Sequence, residues 1–138
     1  MKTVLFVCVH NSGRSQMAEA FFNHYAGGKA RAISAGTSPA NAVNPTVVEA
    51  MREAGIDISG NKPKLLTPDL MDRADMVITM GCGPEAACPA TWVETEDWAL
   101  EDPAGQPLEK VREIRDEVRL RVLKLIEETG EFKPTLLI

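Results

Sequence analysis

The stretch VCVHNSGRS, Val7 to Ser15, sets Cys8, Gly13 and Arg14 into one short loop directly after an apolar run. Small and polar residues between a strand and a helix let the backbone curl so that successive N–H groups point inward. Such a nest, backed by the positive end of a helix starting near Ser15, binds tetrahedral oxyanions. The candidate oxyanion-binding loop is Val9, His10, Asn11, Ser12, Gly13, Arg14 and Ser15. Gly13 is expected to take backbone angles that a side chain would forbid. Arg14 brings a planar fork able to hold two oxygens of one anion. The same field acts on Cys8, because the nucleophilic form of a cysteine is the thiolate, which an unperturbed thiol populates to only ~3% at pH 7. The loop would thus hold an anion against a nucleophile. A buried cysteine beside a surface arginine is the bland alternative, and it leaves the glycine and arginine without a purpose.

The elements that position this loop are legible from periodicity. Thr3 to Val7 is a continuous apolar run, as expected of a buried parallel strand. From Ser15 the period changes: Met17, Ala18, Phe21, Phe22 and Tyr25 share a helical stripe that Gly27-Gly28 stops. Ala30 to Ala35 suggests a second strand. Asn44-Pro45 predicts an N-cap followed by proline at the first helical position, with Val47, Val48 and Met51 facing inward. A short helix is expected at Pro68 to Asp72, a third strand at Met76 to Met80 and a short fourth at Trp92 to Thr95. Val111, Ile114, Val118, Val122 and Leu125 then step by three or four, the mark of a long amphipathic helix. Strands alternating with helices imply one α/β domain over residues 1–138, a parallel sheet with helices on both faces. Ligands bind beyond the carboxyl ends of such strands, so Cys8, Cys82 and the segment near Asp102 are expected to gather at one edge.

Composition narrows the function classes. A net charge of −5 argues against nucleic acid as a partner. No apolar stretch reaches the length of a membrane span. Lys2, the run Thr3 to Val9 and Ala18-Glu19-Ala20 faintly imitate a signal peptide, but His10, Arg14 and Glu19 interrupt what should stay apolar or small. The expectation is a cytoplasmic protein. In that reducing compartment Cys8, Cys82 and Cys88 are free or catalytic thiols rather than permanent disulfides.

CVHNSGRS resembles the C-x5-R-[S/T] phosphate loop of low-molecular-weight protein tyrosine phosphatases, while GRSQMAEA and EDPAG are closer to the arsenate reductases built on that fold. The likeness runs from the first strand to the last helix. It implies a three-layer α/β fold with a four-stranded parallel sheet flanked by helices, and Asp102 in EDPAG as general acid. A carboxyl group beside a bound oxyanion can deliver a proton to a departing oxygen; the bland reading is a turn-forming Asp-Pro. Asn11, Glu19 and the backbone at Ser34 resemble positions where some relatives hold a monovalent cation. A plain structural network is the reading taken here, with no metal and no cofactor, and His10 receives no role.

Arsenate and phosphate share shape and charge, so the pocket alone does not choose between reductase and phosphatase. Electron count does. Phosphoester hydrolysis consumes no electrons, whereas As(V) to As(III) needs two, which two thiols supply by forming a disulfide. MGCGPEAACPA contains two further thiols, Cys82 and Cys88. Their spacing is too wide for the usual zinc half-site. In a helix they could not be bridged, since six residues rise about 9 Å against a ~7 Å limit. The glycines and prolines around them suit a loop able to rearrange. The resemblance then implies an arsenate reductase in which Cys8, Cys82 and Cys88 form a disulfide relay. Thioredoxin is the expected reductant, with phosphate or sulfate as competing anions. The five-residue gap between Cys82 and Cys88, one fewer than in the best-known thioredoxin-coupled members, keeps a low-molecular-weight thiol open as electron donor. Ala104 follows the Asp-Pro where phosphatases of this fold place an aromatic. The remaining alternatives are a protein tyrosine phosphatase and a non-catalytic oxyanion or redox sensor.

Overall fold

In a computed structural model, which describes residues 2–80 and 94–129, the first strand β1 (Lys2–Cys8) is buried at every side chain from Val4 to Cys8. A strand buried on both faces needs cover on both, and its two-residue period divides the job. Val4 and Phe6 face a core shared with helix α1 (Arg14–Ala26), helix α2 (Pro45–Glu53) and helix α4 (Leu108–Thr129). Leu5 and Val7 face the other way, onto Ile33, Ala35 and Val77, with Leu70 and Met71 of the short helix α3 (Pro68–Arg73) packed above. With β2 (Ala30–Gly36), β3 (Met76–Thr79) and β4 (Glu94–Asp97), the sheet has the order β2-β1-β3-β4 and is parallel throughout. This is the expected three-layer α/β architecture. Among the described residues no helix is long and apolar enough to cross a membrane.

Local chemistry sets the helix ends. The Asn44 side chain accepts from the Thr46 N–H at 2.9 Å and Pro45 opens α2. Thr67 does the same for α3 through the Leu70 N–H, ahead of Pro68. Helix α1 stops at Gly27, whose φ of 64° is the left-handed conformation glycine adopts without penalty.

One element differs in part from expectation. The described fourth strand, Glu94–Asp97, overlaps the expected Trp92–Thr95 and ends two residues beyond it, while Trp92 and Val93 lie outside the described residues. Among the described residues it is an edge strand that pairs only with β3, and its sequence ETED carries none of the apolar signal by which strands are recognised. The apolar anchor follows the strand instead. Trp98 is 2% exposed, with its ring centroid 5.6 Å from that of Phe6.

The register of β1 against β2 ends on Cys8 opposite Gly36. A Cβ at Gly36 would stand 2.6 Å from the Val9 carbonyl oxygen and 3.0 Å from the Asn11 nitrogen. The strand end therefore lies against the loop that follows β1, and only glycine leaves room for it.

Two stability measurements test this packing. Phe6 is fully buried and its ring also meets Phe22, with centroids 6.1 Å apart. Phe6→Ala is expected to cost about 3–5 kcal/mol in denaturant unfolding. Gly36→Ala, which adds one methyl against backbone, is expected to cost about 1–3 kcal/mol. An unchanged unfolding midpoint for either would contradict the packing described.

Candidate active site

Between β1 and α1 the chain turns through residues 9–13, and the orientation of each peptide group can be read from where its carbonyl goes. The Cys8 carbonyl accepts from the Thr37 N–H at 3.2 Å, Val9 from Ser38 at 2.8 Å, His10 from Ala40 at 3.0 Å and Ser12 from Asn44 at 2.9 Å. Gly13 accepts from Met17 at 3.0 Å as the first bond of α1. The Asn11 carbonyl accepts from the side chain of Gln16, at 3.2 Å. In a trans peptide the N–H points opposite to the C=O. With the carbonyls of residues 8–13 all directed outward, the N–H groups of residues 9–14 converge on the inside of the turn. The segment between β2 and α2 supplies four of these donors, so it is as much a part of the nest as the loop itself.

The Cys8 sulfur lies within this turn, 2% exposed. The Asn11 N–H donates to Sγ at 3.2 Å, and the Ser15 hydroxyl is 2.8 Å from it. The direction of that second bond follows from its neighbours. Asn11 Oδ1 accepts from the Lys64 backbone N–H at 2.8 Å, which fixes the amide orientation. Asn11 Nδ2 must then donate to Ser15 Oγ at 2.7 Å and to Ser34 Oγ at 3.0 Å. Ser15 Oγ, already accepting, has its own proton free for Cys8. Two donors aimed at Sγ stabilise negative charge there, the requirement for a nucleophilic thiolate. Asn11 holds this arrangement at φ 49°, a left-handed conformation that asparagine tolerates better than most residues.

Gly13 corrects an expectation. Its φ is −143°, so it does not supply a left-handed turn. What it supplies is space: a Cβ there would meet Pro103 Cγ at 2.6 Å. That contact brings the Asp102-Pro103 segment against the loop. Arg14, 6% exposed in the first turn of α1, donates from Nη1 to the Leu100 carbonyl at 3.1 Å, and its Nη2 is 3.7 Å from Asp102 Oδ2. Asp102, with half its side-chain surface exposed, also accepts the Ala104 N–H at 2.9 Å through Oδ1. The turn-forming reading of the Asp-Pro is therefore correct as far as it goes, and the same carboxylate faces the site arginine with its other oxygen.

Asn11, Ser34 and Glu19, whose positions suggested either a cation site or a structural network, are tied directly together. Ser34 Oγ donates to Glu19 Oε1 at 3.1 Å, and Lys64 Nζ stands 3.7 Å from the same oxygen. His10 is exposed on the rim, its Nδ1 3.2 Å from the Ser38 carbonyl oxygen. Cys82 and Cys88 lie outside the described residues. The first described stretch ends at Met80, whose N–H donates to the carbonyl of Val7, the residue before Cys8, at 2.8 Å. Gln16 and Lys64 escaped the sequence reading. Neither residue type in isolation announces that it will grip a loop, and only RSQ, directly after the arginine, offered a local hint for Gln16.

The sequence profile of the low molecular weight phosphotyrosine protein phosphatases matches residues 3–133. An arsenate reductase of Brevibacillus brevis is 40% identical over 132 residues, covering 94% of this chain and 97% of its own. Among solved structures, an arsenate reductase in the phosphate binding state is 42% identical, with a TM-score of 0.80 over 93% of this chain and 98% of that one. The thioredoxin-dependent arsenate reductase of Corynebacterium glutamicum is 40% identical, with a TM-score of 0.77 over 93% of this chain and 60% of that one. The chain belongs to the low molecular weight phosphotyrosine protein phosphatase family, within its arsenate reductase branch.

Proposed function

We propose that the chain is an arsenate reductase acting through Cys8, Arg14, Asp102, Cys82 and Cys88. One observation carries the site assignment: Cys8 Sγ receives the Asn11 N–H and the Ser15 hydroxyl inside a turn whose carbonyls all point away. An anion held by those N–H groups and by Arg14 lies against the sulfur. The Cys8 thiolate attacks arsenic, and an arsenate oxygen departs as water after taking a proton from Asp102. Cys82 as thiolate then attacks the Cys8 sulfur. The S–As bond breaks with its electron pair left on arsenic, so As(V) becomes As(III), arsenite departs and a Cys8–Cys82 disulfide remains. Cys88 attacks Cys82 and expels Cys8 as thiolate, and the dithiol of thioredoxin reduces the Cys82–Cys88 bond. The last two handovers are thiol–disulfide exchange. A reducing compartment such as the cytoplasm suits this cycle.

A phosphatase reading draws on the family description and uses the same pocket. Ala104 after the Asp-Pro, in place of an aromatic, favours a small inorganic anion with no ring to stack. Arsenate-dependent oxidation of NADPH through thioredoxin and its reductase tests the proposal. Efficient phosphotyrosine turnover with no arsenate reduction would replace it by the phosphatase, and anion binding with no turnover by the sensor.

Two further results are expected. Asp102→Asn slows adduct formation by about 10²–10⁴-fold and leaves phosphate affinity equal or tighter, because a carboxylate 3.7 Å from Arg14 no longer competes with the anion. Adduct formation at the parent rate would place the acid elsewhere. Cys88→Ser is expected to release about one arsenite per enzyme and stall as a Cys8–Cys82 disulfide, since one disulfide carries the electrons of one reduction. Cys82→Ser releases little or none with thioredoxin as sole reductant. Peptide mapping after quenching identifies the trapped bond. Multiple turnovers by Cys88→Ser with thioredoxin would remove that cysteine from the relay, and turnover of both variants with a small thiol while the parent ignores thioredoxin would make that thiol the donor.

A further inference from the structure

Of the six carbonyls turned outward around the Cys8 loop, five accept from backbone N–H groups and one, that of Asn11, from a side chain. Backbone donors are delivered by the fold whatever the side chains are. The sixth exists only because residue 16 is glutamine. Gln16 is fully buried, and its Nε2 reaches Asn11 O at 3.2 Å, Asn11 Oδ1 at 3.2 Å and Lys62 O at 3.3 Å. Three acceptors around one amide nitrogen leave no doubt which end of the side chain faces them. The other end is fixed too, since Gln16 Oε1 accepts from Asn61 Nδ2 at 3.2 Å.

From these contacts we propose that Gln16 is a positioning residue for oxyanion binding: by holding the Asn11 carbonyl outward, it turns the Ser12 N–H into the anion site. The peptide linking Asn11 to Ser12 is the one member of the nest whose rotation no backbone hydrogen bond prevents. Were it to rotate, the Asn11 carbonyl dipole would enter the pocket and repel the anion that its neighbours attract. The left-handed φ of Asn11 makes such control necessary, because a sparsely populated backbone state persists only where its surroundings over-determine it. Gln16 supplies that determination from α1, and Asn61 and Lys62 transmit it from the segment before α3. The role concerns the anion, not the thiol, whose own donors are the Asn11 N–H and the Ser15 hydroxyl.

This inference rests on the reading of the Cys8 loop as an oxyanion site, and inorganic phosphate tests it without any dependence on reduction. In the full chain carrying Cys82→Ser and Cys88→Ser, phosphate is titrated for its protection of Cys8 against iodoacetamide. Gln16→Met, similar in length but unable to donate, is expected to raise the apparent phosphate Kd by about threefold to tenfold, the scale of one hydrogen bond. The alkylation rate without phosphate should stay within about twofold of the parent, because both donors to sulfur remain. In amide NMR spectra, the phosphate-induced shift of the Ser12 N–H should collapse in the variant while those of Gly13 and Arg14 persist. Asn61→Ala, at an exposed position, removes only the outer anchor and is expected to weaken phosphate by about twofold. Unchanged phosphate affinity in both variants, or a Ser12 shift equal to the parent's in Gln16→Met, overturns the role of Gln16. Failure of phosphate to protect the parent overturns the oxyanion site itself, and the proposal with it.

Discussion

A peptide group carries a donor and an acceptor on opposite sides, so no loop can present only donors unless something else takes the acceptors. This constraint governs the structure around Cys8. Carbonyls 8–13 are consumed by residues 37–44, by the first turn of α1 and by Gln16. Much of the local sequence follows from it. Gly36 lets β2 end against the Val9 carbonyl, and Asn44 both caps α2 and donates its own N–H to Ser12. Among the described residues every buried side-chain nitrogen or oxygen has a partner. In a water-poor interior that completeness keeps polar groups from competing for the anion's place.

How far the sequence speaks depends on whether a residue's role is local. Cys8, Arg14 and the loop between them lie within one turn, and their types and spacing announce an anion site. The stripe Met17, Phe21, Phe22 and the apolar run into Cys8 likewise state their elements directly. The edge strand was legible but its end was not, because Glu94–Asp97 is held by pairing to β3 and by Trp98 beyond it, and ETED has no apolar residue to mark its limit. Gly13 was recognised for the wrong reason: its purpose is the approach of Pro103, ninety residues away in sequence and invisible to a local reading. Asn61 and Lys64 act through partners 45 and 53 residues distant, and Gln16 joins Asn11, five residues away, to Asn61; no periodicity records such pairings.

Arg14 illustrates how one charge serves two states. Held by the Leu100 carbonyl and facing Asp102, it is a buried guanidinium compensated from within the protein. An incoming oxyanion offers it a second, better-matched partner and leaves Asp102 beside a charge of its own sign. The close approach of Pro103 to Gly13 keeps the Asp102 carboxylate beside the loop.

Cys8 and the walls of its pocket are also far apart in the order of synthesis. Cys8 precedes Thr37 to Asn44, which take its loop's carbonyls, then Lys64, which orients Asn11, and finally Leu100 to Pro103, which meet Arg14 and Gly13. Until those later segments have emerged and docked, the cysteine is an ordinary thiol on an open chain, with no nest around it. The pocket around Cys8 is thus complete only at the end of folding, so a nascent or truncated chain carries the thiol without the anion site beside it.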